Sequence, residues 1–224
     1  MTEDRTLMKT ADIVPVTSFD SEFRAWVAIA RDPDSSPAQH PVDELLAEHH
    51  IMDAALAAME RETRRLSVHH DLRPDAWQDV VDFMGNYVYQ VHRRKEEQGL
   101  FIAYRVAVGD ALESTKTVDI IADEHSQATN MTIDLVNGVS EGDWEKVLRA
   151  AHRYLRVARD HLIREERDVF EAARSALGPA AVDALRVRFA ELETFGLGER
   201  DRMYYLELAR RMCARADLDD ILND

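Results

Sequence analysis

Two stretches of the chain repeat one pattern of metal-ligating side chains. In residues 92–101 and 161–170, a histidine is followed by glutamates at the fourth and fifth positions and then by an apolar residue and a phenylalanine. One helix length before each stretch stands an acid–histidine pair, Glu48-His49 or Glu124-His125. Such a recurrence is typical of a duplicated structural unit. Here the repeated residue types are those that bind metal ions.

The repeated side chains could converge on two metal ions. In a helix, positions i and i+4 lie on one face, so each histidine and the first glutamate after it project together. Four imidazoles and two carboxylates left unpaired in an apolar core would cost several kcal/mol for each buried ion. Two bridging carboxylates and two imidazoles per metal ion would remove that cost. The predicted ligands are His49, His92, Glu96, His125, His161 and Glu165.

Imidazole and carboxylate donors without thiolates favour iron, with manganese and zinc as alternatives. The single cysteine, Cys213, allows neither an internal disulfide nor a thiolate cluster. A lone inward histidine is usually a hydrogen-bonded core residue, but four in register favour a metal site. Glu97 and Glu166 fit a solvated helix face. The other histidines are predicted in a linker (His40), at the bundle edge (His50), in solvent (His152) and in a loop (His69, His70), from which either of the last two could reach the site.

The elements that must position these ligands are helical. Glycine (8) and proline (6) are scarce in the 224 residues, and alternating strand-like runs are hard to find, so the predicted fold class is all-α. Four long amphipathic segments with short connections predict an up-down-up-down four-helix bundle. They span about 42–67, 74–104, 117–136 and 144–174.

Three regions are predicted. Residues 1–40 form an N-terminal arm whose short amphipathic helix carries Phe19 and Trp26, residues 41–175 form the bundle, and residues 176–224 form a helical extension packed on it. The extension contains amphipathic segments near 180–194 and 199–215. The Phe19 and Trp26 stripe could dock on the bundle or build a homodimer.

The net charge of −15 argues against a nucleic-acid partner and against an anionic membrane surface. The first nine residues are charged and lack an apolar run, so no signal peptide is expected. No segment approaches the length of a membrane span. The expected location is the cytoplasm.

The duplicated pattern resembles the bacterial hemerythrin-like (HHE cation-binding) domains over about residues 42–175. The resemblance implies a hemerythrin-like bundle with a non-heme di-iron centre bridged by an oxo or hydroxo group. It makes the four histidines terminal ligands, and it makes Glu96 and Glu165 bridging carboxylates. Ferritin-like bundles use Glu-x-x-His motifs, and no such motif occurs in this chain.

Two positions depart from the classical oxygen carriers of that family. Their third helix carries two histidines four residues apart, whereas here Thr129 follows His125. Their fourth-helix acid is an aspartate five residues after the histidine, whereas here Glu165 is at four and Glu166 at five. An open coordination position beside Thr129 is expected. Tyr89, Thr129 and Glu166 are the candidates for side chains that support the ligands from behind.

Three functions remain open. The first is binding or sensing of O2, NO or iron at the di-iron site. The second is a redox enzyme, such as one that decomposes peroxide at an open coordination position. The third is iron storage or a structural helical module.

Overall fold

A computed structural model describes residues 40–109 and 112–222, which form six helices and no strand. Apart from His40, the predicted N-terminal arm lies outside the described residues. Helices α2 and α4 each combine α-helical and π-helical turns. The helices are α1 Pro41–His69, α2 residues 74–108, α3 Leu112–Glu141, α4 residues 144–176, α5 Pro179–Leu197 and α6 Arg202–Leu222.

Local sequence signals fix both ends of α1. The His40 side chain accepts a hydrogen bond from the Val42 amide, and the Asp43 side chain accepts one from the His40 amide, which closes a capping box around Pro41. The helix ends where His70 takes a left-handed conformation (φ 54°) and its amide donates to the Leu66 carbonyl. These caps satisfy backbone groups that the helix itself leaves unpaired.

Helices α1 to α4 form the bundle. Helix α3 packs along α4, α1 packs on α4, and α2 contacts both α1 and α3. Because short connections join consecutive helices, neighbours along the chain run antiparallel. The predicted all-α bundle with additional C-terminal helices is confirmed. None of the described helices is both long and apolar enough to cross a membrane.

Two apolar layers divide the bundle interior. One contains Leu45, Leu100 and Ile121, and the other contains Met52 and Val88, all buried. On α1, α2 and α3 the predicted ligand histidines fall between these layers in the sequence. The bundle therefore holds a polar cross-section between two hydrophobic ones.

The C-terminal helices lie directly against the bundle: α5 packs on α2, and α6 packs on α1. A side chain at Gly196 would overlap the Gln90 carbonyl oxygen, and one at Gly99 would come within 2.8 Å of the Phe189 ring. Glycine at both positions lets α5 approach the backbone of α2. The extension is thus tightly joined to the bundle.

The sequence pattern predicts uninterrupted helices, but α2 and α4 contain π-helical turns. These turns span Phe83–His92 and Glu96–Leu100 in α2, and Glu166–Phe170 in α4. A π-turn widens the helix and rotates the residues that follow it, and such turns are frequent at functional sites. All three adjoin predicted metal ligands.

Candidate metal centre

The six predicted ligands meet between the two apolar layers, one or two from each bundle helix. Five of them are at most 2% exposed, and His161 is 12% exposed at its side chain. They come from α1 (His49), α2 (His92, Glu96), α3 (His125) and α4 (His161, Glu165). The structure therefore brings together all six side chains that the sequence pattern singles out.

The imidazoles form two pairs. Nε2 of His49 lies 3.1 Å from Nε2 of His92, and Nε2 of His125 lies 3.1 Å from Nε2 of His161. One pair joins α1 to α2, and the other joins α3 to α4. Each pair presents two ring nitrogens to a common point, as two ligands of one ion would.

Glu96 and Glu165 lie between the two pairs. Oε1 of Glu96 is 2.8 Å from Nε2 of His92, while its Oε2 is 3.4 Å from Nε2 of His125. Oε2 of Glu165 is 3.5 Å from Nε2 of both His49 and His161. Each carboxylate therefore contacts one imidazole from either pair, which is the placement of a bridging ligand.

Buried polar atoms without partners test whether a cation fits this centre. All four carboxylate oxygens of Glu96 and Glu165 are buried, and none forms an aligned hydrogen bond within the described residues. Such groups carry a large desolvation cost unless something compensates them. A pair of cations between the imidazoles would satisfy all four oxygens, so the donor set fits a dinuclear metal site.

The donors divide unequally between the two positions. One group of mutually close donors contains His49, His92, Glu96 and Glu165, and the other contains His125, His161 and Glu165. Within each group the donor atoms lie within 4.8 Å of one another. The second group therefore lacks Glu96, although Oε2 of Glu96 lies 3.4 Å from Nε2 of His125.

Each imidazole is also held from behind by a carboxylate at Nδ1. The distances to these outer carboxylates are 2.7–3.0 Å. Such partners fix the tautomer and the orientation of a ligating histidine. The pairs are His49 with Glu166, His92 with Glu48, His125 with Glu97, and His161 with Glu124.

The outer carboxylates account for the rest of the repeated pattern. Glu48 and Glu124 are the acids of the acid–histidine pairs, and each holds the histidine of the following helix rather than its neighbour in sequence. Glu97 and Glu166 are partly exposed (44% and 39%), as their predicted solvated face requires, yet each also binds a histidine. The repeat itself was the signal that could have identified Glu48, Glu124 and Glu97.

Two other predicted supporting residues lie near the ligands but form no hydrogen bond to a ligand side chain. Thr129 donates to the His125 carbonyl and accepts from Arg93, so it anchors backbone rather than an imidazole. The Tyr89 ring is 42% exposed and lies 5.9 Å from the Arg93 guanidinium. Arg93, which is buried and also donates to the His125 carbonyl, connects both residues to the centre.

Without a cation, protons are distributed unequally over the histidines. Burial lowers the pKa of His92, but the Glu96 and Glu48 carboxylates outweigh burial and raise the pKa to about 9. At His161, burial dominates over Glu165 and lowers the pKa to about 4. Burial opposes ionisation of Glu48, but Lys95 and His92 bring its pKa down to about 2. The two halves of the centre are therefore electrostatically different.

A cavity of about 20 Å³ adjoins the centre. It is lined by apolar side chains such as Met52 and Val88, by the phenol of Tyr154, by Arg93 and by three ligand histidines: His92, His125 and His161. A space of roughly 10–15 Å³ already admits one water molecule. The cavity therefore has room for water or a diatomic molecule.

The remaining histidines lie away from the centre. His50, His69 and His152 are exposed, and the exposed His70 ring stacks on Trp144 with centroids 4.4 Å apart. His40 caps α1. Cys213 is a free, buried thiol that donates to the Ala54 carbonyl. These six side chains lie outside the cluster of donors.

Comparison with known proteins identifies the family. The family model of the hemerythrin HHE cation binding domain matches residues 40–173, which contain all six clustered donors and all four outer carboxylates. Neither the curated proteins nor the solved structures contain a match. The matched span is more than half of the chain and coincides with the bundle α1 to α4. The chain therefore belongs to the hemerythrin HHE cation-binding domain family.

Proposed function

We propose that this is a non-heme di-iron protein that binds or senses a diatomic gas, O2 or NO, at the centre between the two apolar layers. The observation that carries the proposal is the set of six clustered donors, whose four buried carboxylate oxygens form no aligned hydrogen bond among the described residues. A family defined by cation binding supports the same interpretation.

The donor chemistry favours iron. Imidazole and carboxylate ligands suit iron, manganese and zinc, and structural zinc sites more often contain thiolates. Paired imidazoles with two carboxylates between them suit two ions close together better than one tetrahedral ion. Manganese and zinc are therefore the competing metals in the test below.

The size and lining of the cavity favour a small ligand. Apolar walls and a volume of about 20 Å³ suit a diatomic gas. When bound, the iron pair would supply the open coordination position and the electrons. The chain's own residues hold the imidazoles in orientation through Nδ1, keep bulk water away and limit access by size.

Elemental analysis and gas binding test this proposal. Protein purified without oxygen is expected to contain two iron atoms per chain. Its reduced form should develop a visible charge-transfer band with O2 or NO that reverses under argon. A His92→Ala variant should lose iron and the band, whereas the exposed His152→Ala control should keep both. Protein that carries zinc, or iron that never binds a gas, would contradict the proposal.

Peroxide decomposition is the second candidate, and the cavity lining favours it. The Arg93 guanidinium is a buried cation that would stabilise an anionic ligand. Burial raises the pKa of the Tyr154 phenol, which keeps it protonated as a hydrogen-bond donor. Rapid hydrogen peroxide turnover by the iron-loaded protein, abolished in Glu165→Ala, would favour this function over reversible gas binding. If metal only raises the melting temperature, iron storage or a structural role remains.

A further inference from the structure

A buried charge cluster connects the metal centre to the C-terminal helices. Lys95 is completely buried, and its ammonium donates to Glu48 (2.5 Å), Glu44 (2.6 Å) and Glu193 (2.5 Å). Arg202 of α6 donates to Glu44 and Glu193. Because Glu48 also holds Nδ1 of His92 through its other oxygen, a continuous chain of contacts runs from α5 and α6 to a predicted ligand.

The three carboxylates of this cluster are not a further metal site. Glu44, Glu48 and Glu193 lie close enough together to hold an ion. The Lys95 ammonium already contacts all three, however, and burial is outweighed by these carboxylates, so that the pKa of Lys95 rises above its usual value. The ammonium therefore serves as the cation of this cluster.

The His125–His161 half of the centre has an equivalent of Lys95, but no C-terminal helix encloses it. Arg164 stands three residues after His161, as Lys95 stands three residues after His92, and it donates to Glu124, the acid that holds His161. The Arg164 side chain is 35% exposed, whereas Lys95 is fully enclosed beneath α5 and α6. The C-terminal extension thus breaks the symmetry between the two halves.

We propose that α5 and α6 are positioning elements of the metal centre. Through Glu193 and Arg202 they hold Lys95 and Glu48 against His92, and the His49–His92 half binds its ion more tightly than the His125–His161 half. This inference rests on the proposed two-metal site. It assigns a role to helices that lie outside the family-matched residues 40–173.

Three observations support the unequal affinity. Both oxygens of Glu48 and of Glu124 are engaged, but the cation on Glu48, Lys95, is fully buried, whereas the cation on Glu124, Arg164, is 35% exposed. Glu96 belongs to the group of close donors around His49 and His92 and not to the group around His125 and His161. His161 is also the most exposed of the six donors.

Cobalt(II) titration of the metal-free full-length protein measures the two affinities through visible ligand-field bands. Two separate binding steps are expected. A His161→Ala variant should lose the weaker step, and a His92→Ala variant should lose the tighter one. These two variants assign each step to one half of the centre.

Glu193→Gln then tests the role of the extension. Loss of this outer charge should weaken the tighter step about 10-fold, as is typical when groups behind metal ligands are changed, and leave the weaker step unchanged. Glu191→Gln is the matched control, because it makes the same change on an exposed face of α5. Arg164→Gln should weaken only the other step.

Circular dichroism of each variant confirms that it is folded. If Glu193→Gln is not folded, Arg202→Met provides the same test, with Arg202→Lys expected to stay near wild type. Equal affinities at both positions, or an equal effect of Glu193→Gln on both steps, would overturn this inference alone. A wild-type protein that binds no pair of ions would instead overturn the proposed function.

Discussion

At the scale of single residues, the two ring nitrogens of every predicted ligand histidine have separate surroundings. Nδ1 faces an outer carboxylate and Nε2 faces the interior, in all four cases. In a neutral ring, a proton on Nδ1 leaves the Nε2 lone pair free for a metal ion. The outer carboxylates therefore prepare the imidazoles as ligands before any ion arrives.

Lys95 is the residue whose loss should be most costly outside the ligand set. In Lys95→Met, the buried Glu48 and the partly buried Glu44 and Glu193 would lose the ammonium that they share, and only Arg202 and the His92 ring would remain beside them. Breaking a buried charge network in this way costs about 3–5 kcal/mol. The free energy of unfolding from a denaturant titration should fall by about that amount.

The control for this change is Lys146→Met. Lys146 pairs with Glu141 at the surface, and exposed pairs contribute roughly 0–1 kcal/mol. Its free energy of unfolding should stay close to that of the wild type. Equal losses in both variants would show that the Lys95 cluster adds nothing beyond an ordinary surface pair.

The sequence was sufficient to predict the six clustered donors but not most of their outer partners. Helical spacing places His92 and Glu96 on one face of α2. The same spacing recurs at His161 and Glu165 in the repeat. Glu48 precedes His49 by one residue, which turns its side chain about 100° away toward a different helix. Its partner therefore depends on how α1 and α2 pack, which a single sequence does not specify.

At the scale of helices, a glycine that allows close packing can be mistaken for a helix end in a prediction from sequence. Asn137-Gly138 is typical of a turn, and the third bundle helix was expected to end near residue 136. Instead α3 continues to Glu141, and Gly138 lies within it at a point where a side chain would come within 2.9 Å of the Val147 side chain of α4. In the same way α5 runs through Gly196, whereas Gly109, with φ 62°, does end α2.

Gly196→Ala tests the packing of α5 on α2. The new Cβ would overlap the Gln90 carbonyl, a backbone atom that cannot rotate away, so the two helices must separate. Overpacking of this kind costs about 1–3 kcal/mol. The thermal midpoint measured by circular dichroism should fall accordingly.

Gly178→Ala is the matched control for this prediction. Its added Cβ would have nothing within 4 Å, and its backbone φ of −76° suits any residue. The midpoint should change little. A Gly196→Ala protein as stable as this control would mean that α5 is only loosely attached.

At the scale of the whole molecule, the bundle interior places two carboxylates together, and a bound cation would compensate their charge. Burial opposes protonation of His92 and His49, but carboxylates outweigh it and raise both pKa values: Glu96 and Glu48 at His92, and Glu165, Glu166 and Glu96 at His49. A bound ion would replace those protons. Metal binding should therefore stabilise the fold as well as create the site.

Metal removal tests this coupling. A ligand present at about 1,000 times its dissociation constant stabilises a folded protein by about 4 kcal/mol. Treating the loaded protein with a chelator should therefore lower its thermal midpoint by several degrees, and adding iron back should restore it. His152→Ala should behave like the wild type, whereas His92→Ala should respond weakly to either treatment. An unchanged midpoint after complete metal removal would contradict the coupling.

The outer carboxylates are exchanged between the halves of the chain. Glu97 of the first half holds His125 of the second, and Glu166 of the second holds His49 of the first. These two contacts interchange if the hairpin α1–α2 is rotated onto the hairpin α3–α4. Two copies of one such hairpin, related by a two-fold axis, would form the same arrangement of histidines and outer carboxylates. The single chain therefore has the approximate symmetry of a homodimer of two hairpins. Among the described helices, only α5 and α6 break that symmetry.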